Sequence, residues 1–387
     1  MSRTALIAGA GIGGLSAAIA LRRTGWSVRV FERAQSPREL GFGVGLAPNA
    51  IAALRELGMA DQVLARSFEP RSVEVRRPDG TVVKRVELPP GSLGGPMVVA
   101  LRPALHGALL DAVGSDSITL DWEATGFDMR DGRVTLRAAQ GGVVEGDLLV
   151  GADGVASSIR RALHPSEPPP KTCGVVAVRG AVQGVLHHLN GLSAIFYMGR
   201  GIESMVIRAS DTGIYWFLSL ARALVPTGMS DPAAILARMS PQFDVTFRAV
   251  TSATADMRCD ELVDRDPIPF WGTGLVTLLG DAAHPVLPQT GQGAAQAIVD
   301  AVALAQALES GLDVERALRA YEHDRRGKTA ALLRQGRRTA SVMKTTNALA
   351  CYLREVALRA APVNTLARFY TSISRHAGTD VSRGRKS

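Results

Sequence analysis

Residues 4–33 read TALIAGAGIGGLSAAIALRRTGWSVRVFER, and three patterns follow one another in that run. The apolar residues 4–8 predict a short buried strand. Gly9, Gly11 and Gly14 then form G-x-G-x-x-G, with Gly13 inside it. Leu15, Ala18 and Ile19 recur at helical spacing until Gly25, and residues 27–31 predict a second strand with Glu32 at its end. The glycines differ in what they do physically. Gly9 makes the tight turn, Gly11 lets backbone amides approach a pyrophosphate, and Gly14 lets the helix pack closely on the strand. The helix N-terminus adds partial positive charge for the anion. Glu32 is placed to accept hydrogen bonds from an adenosine ribose. The run therefore predicts a dinucleotide site, although the motif alone does not separate NAD from FAD.

Two more strand-to-turn junctions occur later. In residues 145–163, EGDLLVGADGVASSIRRAL, a strand over 147–150 is turned by 151–154, with Ser157 and Arg160 on a following helix. Alone, GADG reads as an ordinary turn with a capping aspartate. Residues 274–281 predict a third strand ending at Asp281, and 280–301 read GDAAHPVLPQTGQGAAQAIVDA. Here Pro285 and Pro288 stiffen a loop, and Gly291 and Gly293 open a helix. His284 reads as a hydrogen-bonded turn residue in preference to a proton-transfer group.

With three such junctions in this order, the chain resembles the group A flavin-dependent aromatic hydroxylases, relatives of para-hydroxybenzoate, salicylate and 3-hydroxybenzoate hydroxylases. The N-terminal glycines, the central GADGVASSIR and the GD motif at 280–301 carry the resemblance. GFGVGLAPNAIAALRELGM at 41–59 and Arg102 in ALRPALHGAL add to it, and it spans roughly residues 1–330. It implies an α/β fold, in which a Rossmann-like FAD-binding domain of the glutathione reductase type (1–70, 100–172, 273–330) interleaves with a β-sheet substrate domain (71–99, 173–272). A basic helical region (331–387) follows. It implies FAD as cofactor and NADH or NADPH as co-substrate, with hydroxylation of an electron-rich aromatic or polycyclic molecule by O2 through a C4a-hydroperoxyflavin.

The resemblance also assigns residues. Gly9, Gly11, Gly13 and Gly14 would hold the pyrophosphate, Glu32 and Arg33 would flank the adenosine, and Arg102 would face the phosphates. Gly43 and Gly45 would approach the flavin, and Asp153 would support it and meet the nicotinamide coenzyme. Asp281 suits the hydroxyls of the ribityl chain, since a carboxylate repels phosphate. The amides over Gly291, Gln292, Gly293, Ala294 and Ala295 would point at the pyrimidine end, favouring the reduced anion, and the backbone near Pro288 would form part of the substrate floor. Two other readings stay open: reduction or desaturation of an isoprenoid on the same fold, and a non-catalytic binding protein on a flavin-type scaffold. A flavin halogenase ranks lower, because W-x-W-x-I-P is absent.

Between 172 and 272 the sequence predicts strands at GVVAVRGAV, LSAIFYMG, SMVIRA and GIYWFLSLA. Alternation in the last sets Tyr215 and Phe217 on one face against Ile214, Trp216 and Leu218. One of these faces lines the pocket, and similarity to flavin-dependent urate and phenol hydroxylases implies Tyr215 as the leading catalytic candidate, with Arg179 and Glu203 behind it and Pro288 in the substrate floor. His187 and His188 are adjacent, so in a strand they would point apart. No metal is expected.

A chain of 387 residues predicts two intertwined domains. Cys173, Cys259 and Cys351 form no CxxC. The start lacks a charged n-region and an apolar h-region, and eighteen consecutive uncharged apolar residues occur nowhere, so a cytoplasmic location without signal peptide or spanning helix is expected. The net charge of +8 is uneven: residues 325–387 hold fourteen Lys and Arg against Glu355 and Asp380, a net +12, leaving the first 324 residues at −4. These cations lie along helix-like segments, without the basic stripe and interleaved aromatics of a nucleic-acid reader. They predict helices packed on the body with a solvated basic face, and weak contact with an anionic membrane as the alternative. The oligomeric state is left open.

Overall fold

The computed structural model describes residues 3–36 and 42–362. Its centre is a parallel five-stranded sheet in the order Val276–Leu278, Leu148–Gly151, Thr4–Ala8, Ser27–Phe31, Ile118–Thr119. The inner strands are apolar along their length (TALIA, LLVG, VTL), as strands covered on both faces must be. Helix Ile12–Arg23 buries nine residues, and helix Gly293–Leu308 packs on it; a Cβ at Gly13 would come within 2.9 Å of Leu279 Cδ2 and 3.2 Å of Ala297 Cβ. At Gly14 a Cβ would lie 1.9 Å from the Gly9 carbonyl oxygen, so the helix cannot sit this close to the strand with any side chain there.

A seven-stranded sheet forms the second body, in the order Met257–Asp264, Lys171–Gln183, Gly213–Ala221, Ile202–Arg208, Ala194–Met198, Ser72–Arg76, Val82–Glu87. Its back face carries Val178, Ile214, Trp216, Leu218 and Val206 into a core with helices Pro232–Met239 and Val245–Ser252. Trp216, fully buried, donates from Nε1 to Thr254 Oγ1 at 2.9 Å. The cross-strand register puts Tyr215, Phe217, Met205, Ile207 and Glu203 together on the other face. A small sheet of Gly43–Leu46, Val98–Leu101 and Ser67–Phe68 completes the framework, with a three-stranded antiparallel sheet over 124–146 at the periphery.

Three domain boundaries drawn from the sequence fall inside continuous elements. The 99/100 boundary divides Val98–Leu101, the 172/173 boundary lies in Lys171–Gln183, and the 330/331 boundary lies within the thirty-residue helix Val314–Met343. That helix joins the two bodies. Leu318 and Tyr321 are in the nucleotide-side core, Gly336 lies 3.2 Å (from a constructed Cβ) below Thr290 Cγ2, and Arg337 grips both oxygens of Asp264 at 2.6 Å.

The basic end departs from a simple solvated face: Arg325 is fully buried, and Arg337 is held by Asp264 and Asp266. The last described helix, Ala348–Ala360, buries none of its residues. His187 and His188 occupy a single 3₁₀ turn, Leu186–Leu189, with ring centroids 4.0 Å apart, and not a strand. Among the described residues no His, Cys, Asp and Glu group could hold a metal, and no helix is long and apolar enough to cross a membrane.

Candidate functional site

The fingerprint loop is held from below. Gly9, at φ 102°, donates to the Phe31 carbonyl at 2.7 Å, and a Cβ on it would meet Ala152 O at 2.5 Å, so the central GADG turn leans directly on the first glycine. Gly11 is the opposite case: a Cβ there would meet nothing within 4 Å. This open space lies at the start of helix Ile12–Arg23, whose first amides lack intrahelical partners. The Glu32 carboxylate accepts from Ala10 N (2.9 Å) and Ala34 N (3.0 Å), which fixes it at the lip of the loop with lone pairs to spare; Arg33 is exposed beside it. Buried His106 donates from Nε2 to the Ala10 carbonyl at 2.8 Å, tying helix Arg102–Val113 to the same loop.

The GD motif sits on a buried chain of polar groups. His284 Nε2 meets Asp300 Oδ2 at 2.5 Å, Gly280 N donates to the same oxygen at 3.1 Å, and Arg325 Nε donates to Asp300 Oδ1 at 2.7 Å. Arg325 Nη2 reaches Gln296 Oε1 at 2.5 Å; Gln296 Nε2 and Asn49 Nδ2 both donate to Gln292 Oε1, at 3.2 and 3.3 Å. Burial alone would raise the Asp300 pKa, but the charges of His284 and Arg325 outweigh it and hold the carboxyl at about 2. His284 thus serves as the hydrogen-bonded turn residue expected of it. Above this chain, Pro288 starts a 3₁₀ turn and is exposed, Gly291 takes φ 61°, and Gln292 immediately precedes helix Gly293–Leu308. Ala294 is half-buried and Ala295 fully buried. Asp281 is exposed, with Oδ1 3.9 Å from a Cβ built on Gly293, so its carboxylate stands beside the helix N-terminus.

Asp153 sits at the start of the helix after the central turn. Its carboxylate accepts from Ser157 Oγ, from Ser158 N and Oγ (2.7 and 3.0 Å) and from Ile159 N (3.3 Å), which caps helix Ser158–Leu163. These bonds fix the GADG turn under Gly9, with three donors on Oδ2 and Ser157 Oγ on Oδ1. Arg160, 1% exposed, donates to the carbonyls of Ala282 and Ala283 at 3.0 Å and pairs with Glu167, so the central motif clamps the GD turn.

On the sheet side, Tyr215 packs against the nucleotide half. A Cβ at Gly43 would fall 2.2 Å from its ring, so Gly43 is glycine to admit Tyr215; at Gly45 a Cβ would meet nothing within 4 Å. Burial raises the Tyr215 pKa, and the charges of Arg179 and Arg102 partly oppose that shift. Arg179 is paired with Asp260 at 3.0 Å, and Arg102 opens its helix with its amide on the Phe42 carbonyl at 3.1 Å. Glu203 lies farther along the same face, 6% exposed, with its pKa pushed up to about 7 by burial against the opposing charge of Arg354.

The sequence profile described as FAD binding domain matches residues 2–336. Aurachin C monooxygenase/isomerase of Stigmatella aurantiaca is 34% identical over 368 residues, covering 92% of this chain and 94% of that one. 3-Hydroxybenzoate 6-hydroxylase 1 of Aquipseudomonas alcaligenes is 32% identical over 348 residues, 85% of this chain and 86% of the other. The chain belongs to the FAD-dependent aromatic monooxygenases. Its fold is theirs too: Klebsiella pneumoniae HpxO complexed with FAD and uric acid superposes with a TM-score of 0.89 at 25% identity, over 97% of each chain. The protein is therefore an FAD-dependent hydroxylase of aromatic small molecules that uses NAD(P)H and O2.

The residues present fit FAD. The open space at Gly11 accepts a pyrophosphate without displacing a side chain, and the Glu32 carboxylate is already oriented at that loop. A pyrophosphate would be repelled by Asp281, whereas ribityl hydroxyls can donate to it. Asp281→Ala is expected to remove one or two hydrogen bonds to a charged group, about 1.5 to 3 kcal/mol each. FAD affinity, read by flavin fluorescence titration of the apoprotein, should fall at least about tenfold; an unchanged affinity would take Asp281 out of the cofactor site.

Proposed function

We propose that the substrate is an aromatic ring bearing an oxygen substituent, bound between the Tyr215 face of the large sheet and the Pro288 turn. The observation that carries this reading is the packing of the Tyr215 ring on Gly43, which brings a phenol to the seam between the two bodies, where the charges of Arg102 and Arg179 act on it. Bound FAD, reduced by NAD(P)H, supplies the activated oxygen; overall, ArH, O2, NAD(P)H and a proton give ArOH, water and NAD(P)+.

The protein's own part is to make the ring electron-rich and to exclude water. Tyr215 Oη hydrogen-bonds the ring oxygen, and the nearby cations favour its deprotonated form, so electron density rises at the positions ortho and para to it. The buried back face behind Trp216 keeps the sheet rigid, and Pro288 limits the freedom of the opposing turn. Glu203 pairs across the strands with Ser219, four residues from the Ile207–Tyr215 pair on the same face. At about 3.3 Å per residue, that is roughly 13 Å from Tyr215. A polycyclic or extended heteroaromatic substrate spans this distance, and a neutral N–H or hydroxyl at its far end suits a carboxyl that titrates near neutrality.

Screening phenols, quinolones and polycyclic aromatics for stimulated NAD(P)H oxidation with matched oxygen uptake and hydroxylated product tests the reading. Stimulation only by rings without an oxygen substituent would refute it. With a productive substrate, Tyr215→Phe is expected to lower kcat about 10²-fold, the lower range for a positioned acid–base group, while leaving the flavin spectrum and FAD content unchanged. An unaltered kcat would remove Tyr215 from the reaction.

A further inference from the structure

The last described helix is turned inside out. Ala348–Ala360 is a well-defined element, with Asn347 capping it through Oδ1 to Ala350 N at 3.0 Å. Its contacts with the body are polar: Glu355 receives both Nε and Nη2 of Arg77 at 2.8 Å, Arg354 Nη2 donates to the Gly199 carbonyl at 2.8 Å, and Lys84 Nζ donates to the Leu358 carbonyl at 3.0 Å. Four of its apolar residues point the other way. Leu349, Tyr352, Leu353 and Val356 follow i, i+3, i+4, i+7 spacing and are 66%, 61%, 56% and 44% exposed. A surface helix of a globular protein buries that stripe, and a contiguous exposed patch of this kind marks an interaction surface.

The charge around the stripe selects its partner. Glu355, the only acid of the helix, is consumed by Arg77 and by Arg359, which is 51% exposed. The chain that follows, residues 363–387, lies outside the described residues, but its sequence holds Arg368, Arg375, Arg383, Arg385 and Lys386 against Asp380 alone. A second copy of the protein could cover the stripe but would bring two such basic segments together. An anionic lipid surface meets both features: acyl chains receive Leu349, Leu353 and Val356, the headgroup region receives the Tyr352 ring, and lipid phosphates and carboxylates attract the basic chain.

We infer that the protein docks on an anionic bilayer through the Leu349–Tyr352–Leu353–Val356 stripe. The helix lies in the plane of the interface, and no described segment crosses the bilayer.

The test uses the full-length holoprotein and sedimentation with sucrose-loaded vesicles. Binding to vesicles containing phosphatidylserine is expected to be at least tenfold stronger than to pure phosphatidylcholine, and to weaken as salt rises. The double substitution Leu349→Gln, Leu353→Gln changes two exposed positions and no charge. It should cut phosphatidylserine binding at least tenfold at the same salt, with flavin content and melting temperature unchanged. Tyr352→Phe should bind like the parent. Undiminished binding of the double variant overturns the proposal, because the charged chain alone then suffices or the stripe is covered by 363–387. Absence of vesicle binding, together with self-association abolished by the same double substitution, overturns it in favour of a second copy.

Discussion

Arg325→Met is expected to destabilise the protein by about 3 to 5 kcal/mol, the usual cost of removing one partner of a buried ion pair. Both Arg325 and Asp300 are 0% exposed, and Arg325 Nε lies 2.7 Å from Asp300 Oδ1. Methionine fills a similar volume, so packing changes little. What changes is that the Asp300 carboxylate loses a fixed positive charge in a site from which water is excluded. Its other partners, His284 and Gly280 N, remain, but Asp300 is kept ionised by His284 and Arg325 together. The measurement is urea unfolding of the apoprotein and of the FAD-saturated protein, with equal m-values required before midpoints are compared. The double variant Arg325→Met, Asp300→Asn should recover a substantial part of the loss, because no unpaired charge is left behind. A loss below about 1 kcal/mol for the single variant would mean that Asp300 takes up a proton at little cost or that water reaches it.

The consequence reaches the GD motif, because Arg325 also holds Gln296, which in turn holds Gln292 at the start of helix Gly293–Leu308. This chain of contacts shows which parts of the protein sequence reading can reach. The strand, glycines and acid of residues 4–33 are legible because their chemistry is local, each residue serving a ligand or a neighbour a few positions away. Asp300, Arg325 and Asn49 are not, since their partners include residues 25 or more positions away and nothing near them in the sequence is unusual. Arg325 reads as one more cation in a basic run, and only the fold puts it at 0% exposure. His106 is hidden for the same reason, its partner Ala10 being 96 residues away. Asp153 carries the local reading of GADG visibly: its carboxylate accepts from the first amides of the helix that follows the turn. Gly43 reads as room for flavin, yet the atoms that require it to be glycine belong to Tyr215, on a strand more than 170 residues later.

Glu203→Gln is expected to remove a pH dependence that the parent protein carries. Glu203 is 6% exposed, its carboxyl makes no hydrogen bond among the described residues, and its pKa is raised from 4.5 to about 7 by burial, with Arg354 opposing. A carboxyl with a raised folded-state pKa binds its proton more tightly in the native state, so stability is fully present below the unfolded pKa near 4.5 and is lost as pH rises through about 7. At roughly 1.4 kcal/mol per pKa unit, the loss amounts to about 3 kcal/mol. Glutamine has nearly the same shape and cannot ionise. The variant should therefore match the parent at pH 4.5 and exceed it by about 3 kcal/mol at pH 8, with the difference growing between those limits. Denaturant unfolding across that range reads it directly, and the parent's other titrations cancel in the difference. A variant equally stable relative to the parent at pH 4.5 and pH 8 would show that the carboxylate is solvated in the native state. The same substitution separates stability from substrate contact: if Glu203 also meets the far end of the substrate, KM should rise at pH 8 while kcat for a short, single-ring substrate stays constant. A variant that is more stable at pH 8 with KM unchanged for every substrate would leave Glu203 a buried acid outside the pocket.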